Sequence, residues 1–492
     1  MKKEKREILN RPSTQCCCEW RMRTLLLGFA ILISVCSFSQ SKKIARLAKT
    51  ILLKDSAIST GHIGISIYEP ATDTYWYNYN GDKYFIPASN TKLFTLYAGM
   101  KYLGDSLVGA RVLDYQKDLI ILPAGDPTFL NEEFKFQPLL SLLKEKGNSV
   151  VVRYGAWQDY RWGNGWAWND YQETYMAEKS AMPMYGNIVK LFSVYDSTLS
   201  VFGSTEKARY HTFPKLFSSD DYWSKSTINY SEFIKEHGIQ EITMNLQKGD
   251  TIFFKAGRNI DANTFYVKPD YKASKIQKLP FATSNNVTNL LLSDTLNKKI
   301  RNENIYFTGH ENIVQNEFKI IHSQPSDSLF KPMMYRSDNF FAEQTLLMAS
   351  NEYLGYMSDE KIIDTLLKSD LKDAPQKPKW VDGSGLSRYN LFTPQSFVYL
   401  LNKIKNEFGW QRIKNILPTG GTGTLASYYK KDSGFIYAKT GTLSNNCALS
   451  GYLITENGKL LIFSVLANNY ITNAVPVRKA VEQFLLAIRK KY

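Results

Sequence analysis

Three short stretches combine residue types that could do chemistry. Ser89-Asn90-Thr91-Lys92 sets a hydroxyl three residues before an amine. On a helix that spacing puts both groups on one face. Serine is a weak nucleophile until a neighbour takes its proton. Lysine can take it only as the neutral amine, a form favoured by burial and by a second nearby cation. A helix N-terminus would also favour negative charge developing at Ser89. Ser337-Asp338-Asn339 supplies a second hydroxyl, able to relay a proton, and an amide able to grip a peptide bond. Lys439-Thr440-Gly441-Thr442 supplies a cation and two hydroxyls suited to a carboxylate. Gly441 would let a substrate backbone lie close, as an added strand. Taken singly, each stretch also fits a plainer reading: a capping serine, a helix cap and a solvated turn.

The elements that must position these groups are legible around them. Ile63 to Tyr68 alternates as a strand, Glu69 to Asp73 turns, and Thr74 to Tyr79 returns. A helix is expected from near Pro87 to Gly104, with Ser89 in its first turn. Ala448 to Ile454 and Leu460 to Ala467 read as a hairpin turning at Glu456-Asn457-Gly458. The last helix begins at Pro476. Val477, Ala480, Val481, Phe484, Leu485 and Ile488 form one apolar stripe on it, and Arg489 to Lys491 suit its dipole. Between about 110 and 310 the texture changes to short strand-like runs, glycine turns and tryptophan. Trp157, Trp162, Trp166, Trp168 and Trp223 lie there. Tryptophan-rich surfaces can stack on sugars, but burial is the expected state of these rings. Lys368 to Lys379 reads as a surface loop.

In this order the three stretches match the set shared by class A β-lactamases and penicillin-binding proteins. The chain resembles the class C low-molecular-mass penicillin-binding proteins, the D-alanyl-D-alanine carboxypeptidase/endopeptidase type. The resemblance spans essentially everything after the leader. Gly125-Asp126-Pro127-Thr128, Gly165 to Asp170, Asp382-Gly383-Ser384-Gly385-Leu386-Ser387-Arg388, and Leu417-Pro418 ahead of Gly423-Thr424-Leu425 also look like that family; structural and cleft-shaping roles are expected for them. Ser337 lies 248 residues after Ser89, a gap that β-lactamases close in far fewer. No clear Glu-x-x-x-Asn deacylating segment stands between them. Ser444 to Cys447 is a departure, more polar than the family pattern there.

The resemblance implies an α/β fold of the α+β type, an antiparallel sheet between helices, interrupted by a β-rich insertion. The expected parts are a signal peptide (1–39), a first catalytic part (40–111), the insertion (112–309) and a second catalytic part (310–492). It implies a two-step acyl transfer on peptidoglycan stem peptides. Ser89 attacks the carbonyl between the last two D-alanines and Lys92 takes its proton. Ser337 and Lys439 relay that proton to the leaving amine. The N–H groups of Ser89 and Thr442 form the oxyanion hole. Asn339 holds the substrate amide. Lys439, Thr440 and Thr442 bind the terminal carboxylate, with Gly441 giving room. With a cross-linked stem the leaving amine is another stem's side chain, and β-lactams would act as covalent inhibitors. Two rival readings stand beside this one: a β-lactamase or esterase on the same scaffold, and a cell-wall binding protein with vestigial catalysis. Neither cofactor nor metal is expected. His62, His211, His237, His310 and His322 show no ligand spacing.

Composition and the start of the chain fit this setting. At 492 residues, 22% charged and 43% hydrophobic, the chain excludes disorder, collagen and a disulfide-stapled mini-protein. Its net charge of +15 suits anionic surroundings such as cell wall or a membrane surface, with peripheral membrane association left open and no nucleic-acid partner expected. Basic residues from Lys2 to Arg23 precede the apolar run Leu25 to Val35, which is too short to span a bilayer. Ser37-Phe38-Ser39 places cleavage before Gln40 and sends the product to the periplasm. Met22 offers an alternative start, and Cys36 an alternative lipidation site, though Val35 stands where a lipobox wants Gly or Ala. Cys16, Cys17, Cys18 and Cys36 leave with the leader, so Cys447 has no disulfide partner and is expected as a small buried side chain.

Overall fold

The C-terminal hairpin is apolar at nearly every position, so both of its faces need cover. The computed structural model describes residues 41–146, 149–195, 208–218, 254–269, 273–302 and 317–492. The expected leader 1–39, Trp223, His237 and His310 lie outside the described residues. In chain order the strands are β1 His62–Glu69, β2 Thr74–Tyr79, β3 Ser106–Tyr115, β4 Asp118–Pro123, β5 Ser149–Val152, β6 Ile188–Tyr195 and β7 Ala208–Phe213. There follow β8 Phe254–Arg258, β9 Phe265–Pro269, β10 Ile276–Pro280, β11 Ile300–Asn302, β12 Lys319–Pro325, β13 Ile436–Leu443, β14 Asn446–Ile454 and β15 Leu460–Asn468.

The first sheet is antiparallel, in the order β13-β14-β15-β1-β2. Its strand alternation divides two cores. Ala448, Tyr452, Ile462 and Leu466 pack against helices Lys92–Tyr102, Asn339–Leu354 and Pro394–Phe408. Cys447, Leu449, Leu453, Leu461, Phe463 and Val465 pack on the other side against the C-terminal helix Ala474–Lys491. All six residues of that helix's expected stripe are buried. The Val, Leu, Ile and Phe side chains among them each contribute roughly 1.5–3 kcal/mol of transfer free energy. The chain is therefore an α/β (α+β) fold, with the antiparallel sheet between helices as the family resemblance implies.

The second sheet is mixed, ordered β11-β5-β4-β3-β12, and smaller sheets β10-β6-β7 and β8-β9 stand beside it. Because β3 pairs with β12, this sheet reaches from Ser106 to Pro325. The expected boundary at 111/112 falls inside β3, and 309/310 lies outside the described residues.

The helix opens near Pro87 as expected: Ala88–Thr91 is a tight 3-10 first turn, holding Ser89, that runs without a break into the α-helix from Lys92. Ala88 takes a left-handed backbone (φ 48°), which turns the chain sharply before Ser89. One expectation needs correction: the four described tryptophans of the 110–310 stretch are not buried. Trp157, Trp162 and Trp166 are half-buried and Trp168 is 72% exposed. They sit in the loop between Tyr154 and Met176, which offers no continuous sheet face to cover them. Cys447 is buried as expected.

Candidate active site

Each stretch arrives on a different element, and the three converge. Lys92 opens its helix fully buried. Asp338 caps the helix Asn339–Leu354 by accepting from Phe341 N, which leaves Ser337 (φ 60°) on the tight turn before it. Lys439 lies within β13, which stands at one end of its sheet among the described residues. The Lys-Thr-Gly-Thr stretch is therefore strand, not the turn after one. Asn90 Nδ2 donates to Lys439 O at 2.7 Å and ties that strand to the serine turn.

Lys92 Nζ has three partners: Ser89 Oγ at 3.0 Å, Asn339 Oδ1 at 2.6 Å and Ser384 O at 2.7 Å. Two of these are carbonyl oxygens, which only accept. The third is a hydroxyl, which can also donate. A neutral Lys92 keeps all three contacts by giving its two N–H groups to the carbonyls and its lone pair to the Ser89 proton. Burial pushes the Lys92 ammonium down to about 8, against the opposing charges of Glu343, Asp382 and Asp338. Lys439 Nζ donates to Ser337 Oγ at 2.8 Å and to Thr440 O at 2.7 Å. Burial, then the charges of Lys92 and Arg478, hold it well below the usual lysine range.

Asn339 is engaged at both ends: besides accepting from Lys92, its Nδ2 donates to Tyr175 O at 2.9 Å. Gly441 has a use besides the one expected of it. A Cβ there would lie 2.5 Å from Pro87 O and 3.0 Å from both Ser89 N and Asn90 N. The missing side chain lets the protein's own strand lie against the serine turn. Gly441→Ala is expected to push strand and turn apart and slow acylation by fluorescent penicillin at least tenfold, measured by quench-flow labelling. Labelling at the wild-type rate would show that this contact is not needed.

Three further residues hold the site: Asp382, which lies in a stretch expected to shape the cleft, and Glu343 and Arg478, which sequence reasoning passed over. Glu343 is fully buried and accepts from Gly383 N at 2.9 Å and Ser384 N at 2.7 Å. It thereby holds the peptide whose Ser384 carbonyl meets Lys92. Burial, then the neighbouring charge of Asp382, push its carboxyl up to about 8. Asp382 gathers the same loop, accepting from Gly385 N, Ser387 N, Asn390 Nδ2 and Trp166 Nε1. Arg478, from the C-terminal helix, donates to Thr442 Oγ1. That bond occupies a lone pair of the oxygen and leaves the Thr442 proton free to point elsewhere. One signal was available for Glu343: it lies four residues after Asn339, on the same helical face. No group of residues suited to holding a metal occurs among the described residues.

A sheet between helices, a long insertion, and a serine within reach of a buried amine define the penicillin-binding protein and β-lactamase class of serine acyl-transfer enzymes. The chain belongs to the D-Ala-D-Ala carboxypeptidase 3 (S13) family, whose match covers residues 45–209 and 257–488. It is a serine-type D-Ala-D-Ala carboxypeptidase/endopeptidase of the penicillin-binding type. The D-alanyl-D-alanine carboxypeptidase DacB of Haemophilus influenzae is 24% identical over 437 residues, 80% of this chain and 83% of that protein. The D-alanyl-D-alanine carboxypeptidase of Actinomadura sp. strain R39 is 24% identical over 471 residues, 87% of this chain and 83% of that protein. The crystal structure of penicillin binding protein 4 (dacB) from Haemophilus influenzae superposes with a TM-score of 0.65 at 20% identity, covering 91% of this chain and 99% of that one. The same protein complexed with a novel β-lactam gives 0.61 at 19% identity, with the same coverage. No helix among the described residues is long and apolar enough to cross a membrane. The family works on the cell wall, which places the enzyme outside the cytoplasm.

Proposed function

We propose that Ser89 is the acylated nucleophile of this peptidase and Lys92 its general base. The observation that carries this reading is the Lys92 amine, 3.0 Å from Ser89 Oγ with its other two contacts on carbonyl oxygens. Ser89 Oγ bonds to the carbonyl carbon of the penultimate D-alanine of a peptidoglycan stem while its proton passes to Lys92. The C–N bond breaks, and the departing amine receives a proton through Ser337 and Lys439, which are 2.8 Å apart. Water then cleaves the ester and frees Ser89. The N–H groups of Ser89 and Thr442 receive the oxyanion; one such donor contributes roughly 3 kcal/mol. The close seat of Gly441 against the serine turn supports that pairing. Asn339 keeps its contacts with Lys92 and Tyr175 O and offers the second hydrogen of its Nδ2 to the substrate peptide bond. Lys439, Thr440 and Thr442 bind the terminal carboxylate.

The same steps open a D-alanine cross-link when the leaving amine belongs to a second stem. A β-lactam supplies the same carbonyl on a ring that cannot depart, so it stays as a covalent acyl-enzyme. The leader 1–39 directs the enzyme to the periplasm. The test is to label the protein with penicillin, digest it and map the adduct by mass. One adduct on the peptide containing Ser89 is expected; an adduct on Ser337 or any other residue overturns the assignment.

A further inference from the structure

A cavity of about 320 Å³ opens directly from Ser337, Asp338 and Asn339. Its other walls come from the insertion: the Leu130–Glu133 loop, the Thr174–Ala177 turn and the start of β6. The space suits a whole small molecule and exceeds what the methyl group of a departing D-alanine needs. Its polarity is mixed. Arg336 pairs with Glu133 at 2.7 Å and Lys190 pairs with Glu132. Lys278, directly opposite Lys190 in the β10–β6 register, makes no ion pair among the described residues. Like charges placed opposite each other on a sheet are destabilising. Three cations thus face three carboxylates, Glu132, Glu133 and Asp338, and Lys278 is the cation of the three that makes no ion pair among the described residues. Aromatic side chains line the floor, with Tyr175 44% and Phe213 45% exposed.

The walls also hold backbone that folding alone disfavours. Leu130 (φ 55°), Tyr185 (φ 57°) and Ser337 (φ 60°) are all left-handed without being glycine. Such residues cost free energy and cluster at ligand sites.

We propose that this trough receives the second peptide of a cross-link, the strand that departs with its amine, and that the insertion exists in part to build it. The inference rests on the assignment of Ser89 and of the proton relay through Ser337. On that assignment the leaving amine lies at Ser337, where the trough begins. A peptide with both amine and carboxylate groups matches walls carrying both signs. Lys278, which makes no ion pair among the described residues, meets one of its carboxylates, and its main chain lies on Tyr175 and Phe213.

The test compares two purified muropeptides, a cross-linked dimer and an uncross-linked pentapeptide monomer, with fluorescent penicillin as a third substrate lacking any second strand. Lys278→Glu places an acid opposite Lys190 and removes the repulsion, so it is expected to fold. Thr174→Trp fills the trough from an exposed position. Both are expected to lower kcat/KM on the dimer at least tenfold. D-alanine release from the pentapeptide and the rate of penicillin labelling should stay within twofold. The proposal is overturned if the dimer is cut at the wild-type rate, if dimer and pentapeptide fall together in Lys278→Glu, or if wild type takes penicillin yet leaves dimers intact. Those results leave Ser89 as nucleophile untouched; a penicillin adduct mapped elsewhere removes that reading instead. Should Thr174→Trp fail to take penicillin, Lys278→Glu decides alone.

Discussion

Lys92→Ala is expected to slow acylation by penicillin roughly a hundredfold to ten-thousandfold, the range a positioned general base supplies. The protein should remain folded, because the substitution removes a buried amine that already sits uneasily in its site. What it leaves behind is Ser89 with no base, and the Asn339 and Ser384 carbonyls without their donor. Stopped-flow labelling with fluorescent penicillin measures the rate, and a circular dichroism spectrum checks the fold. A variant that acylates within tenfold of wild type would strip Lys92 of the role. Wild type should also show the matching pH profile. The base form is the neutral amine, and the Lys92 ammonium is held at about 8. Acylation should therefore rise about tenfold per pH unit below that point and level off above it. Glu343, Asp382 and Asp338 pull this limb upward, while a proton on Lys439 disfavours one on Lys92. A profile flat from pH 6 to 9 would argue against a titrating amine at the serine.

The sequence disclosed contacts that are local or periodic, and missed those made by backbone. Ser89 and Lys92 are three residues apart, so their meeting follows from helical geometry. The stripe from Val477 to Ile488 and the hairpin Asn446–Asn468 follow from period and turn chemistry in the same way. The meeting of Ser337 with Lys439, 102 residues apart, was legible only because three motifs stood in a familiar order. Tryptophan size predicts burial only where an element offers a face, and the 154–176 loop offers none. Glu343 showed only through its spacing from Asn339, for a different reason. Its partners are two peptide N–H groups forty residues on, and any residue type would have presented those. Arg478 likewise acts on a threonine hydroxyl from the far side of the sheet.

Seen together, the buried acids and amines make one assembly. The Asp382 loop is wedged between the serine turn and the asparagine helix. A Cβ at Gly385 (φ 81°) would fall 1.9 Å from Ala88 O, and one at Gly383 would fall 2.7 Å from Ala342 O. Thr95 Oγ1 adds a bond to Gly383 O at 2.6 Å. The loop thus fixes the distance between Lys92 and the helix that carries Asn339. A shift in any one of the three elements moves the carbonyl that orients the amine.

Glu343→Ala is the second large effect expected. The variant leaves Gly383 N and Ser384 N buried without acceptors, at about 1–3 kcal/mol each, and a cavity where the carboxylate stood. A drop in melting temperature should follow, seen by differential scanning calorimetry. Glu343→Gln is the finer probe, since its single carbonyl can satisfy one N–H while its amide nitrogen faces the other. It keeps the volume and loosens the Ser384 carbonyl from Lys92. A hydrogen bond to a charged group is worth about 1.5–3 kcal/mol. Losing that grip in part should slow acylation about tenfold to a hundredfold. The Gln variant separates the two roles. A merely structural Glu343 would lower the melting temperature and leave the rate of acylation within twofold of wild type. A positioning Glu343 lowers both, because the carbonyl it holds is one of the two that aim the Lys92 lone pair at Ser89.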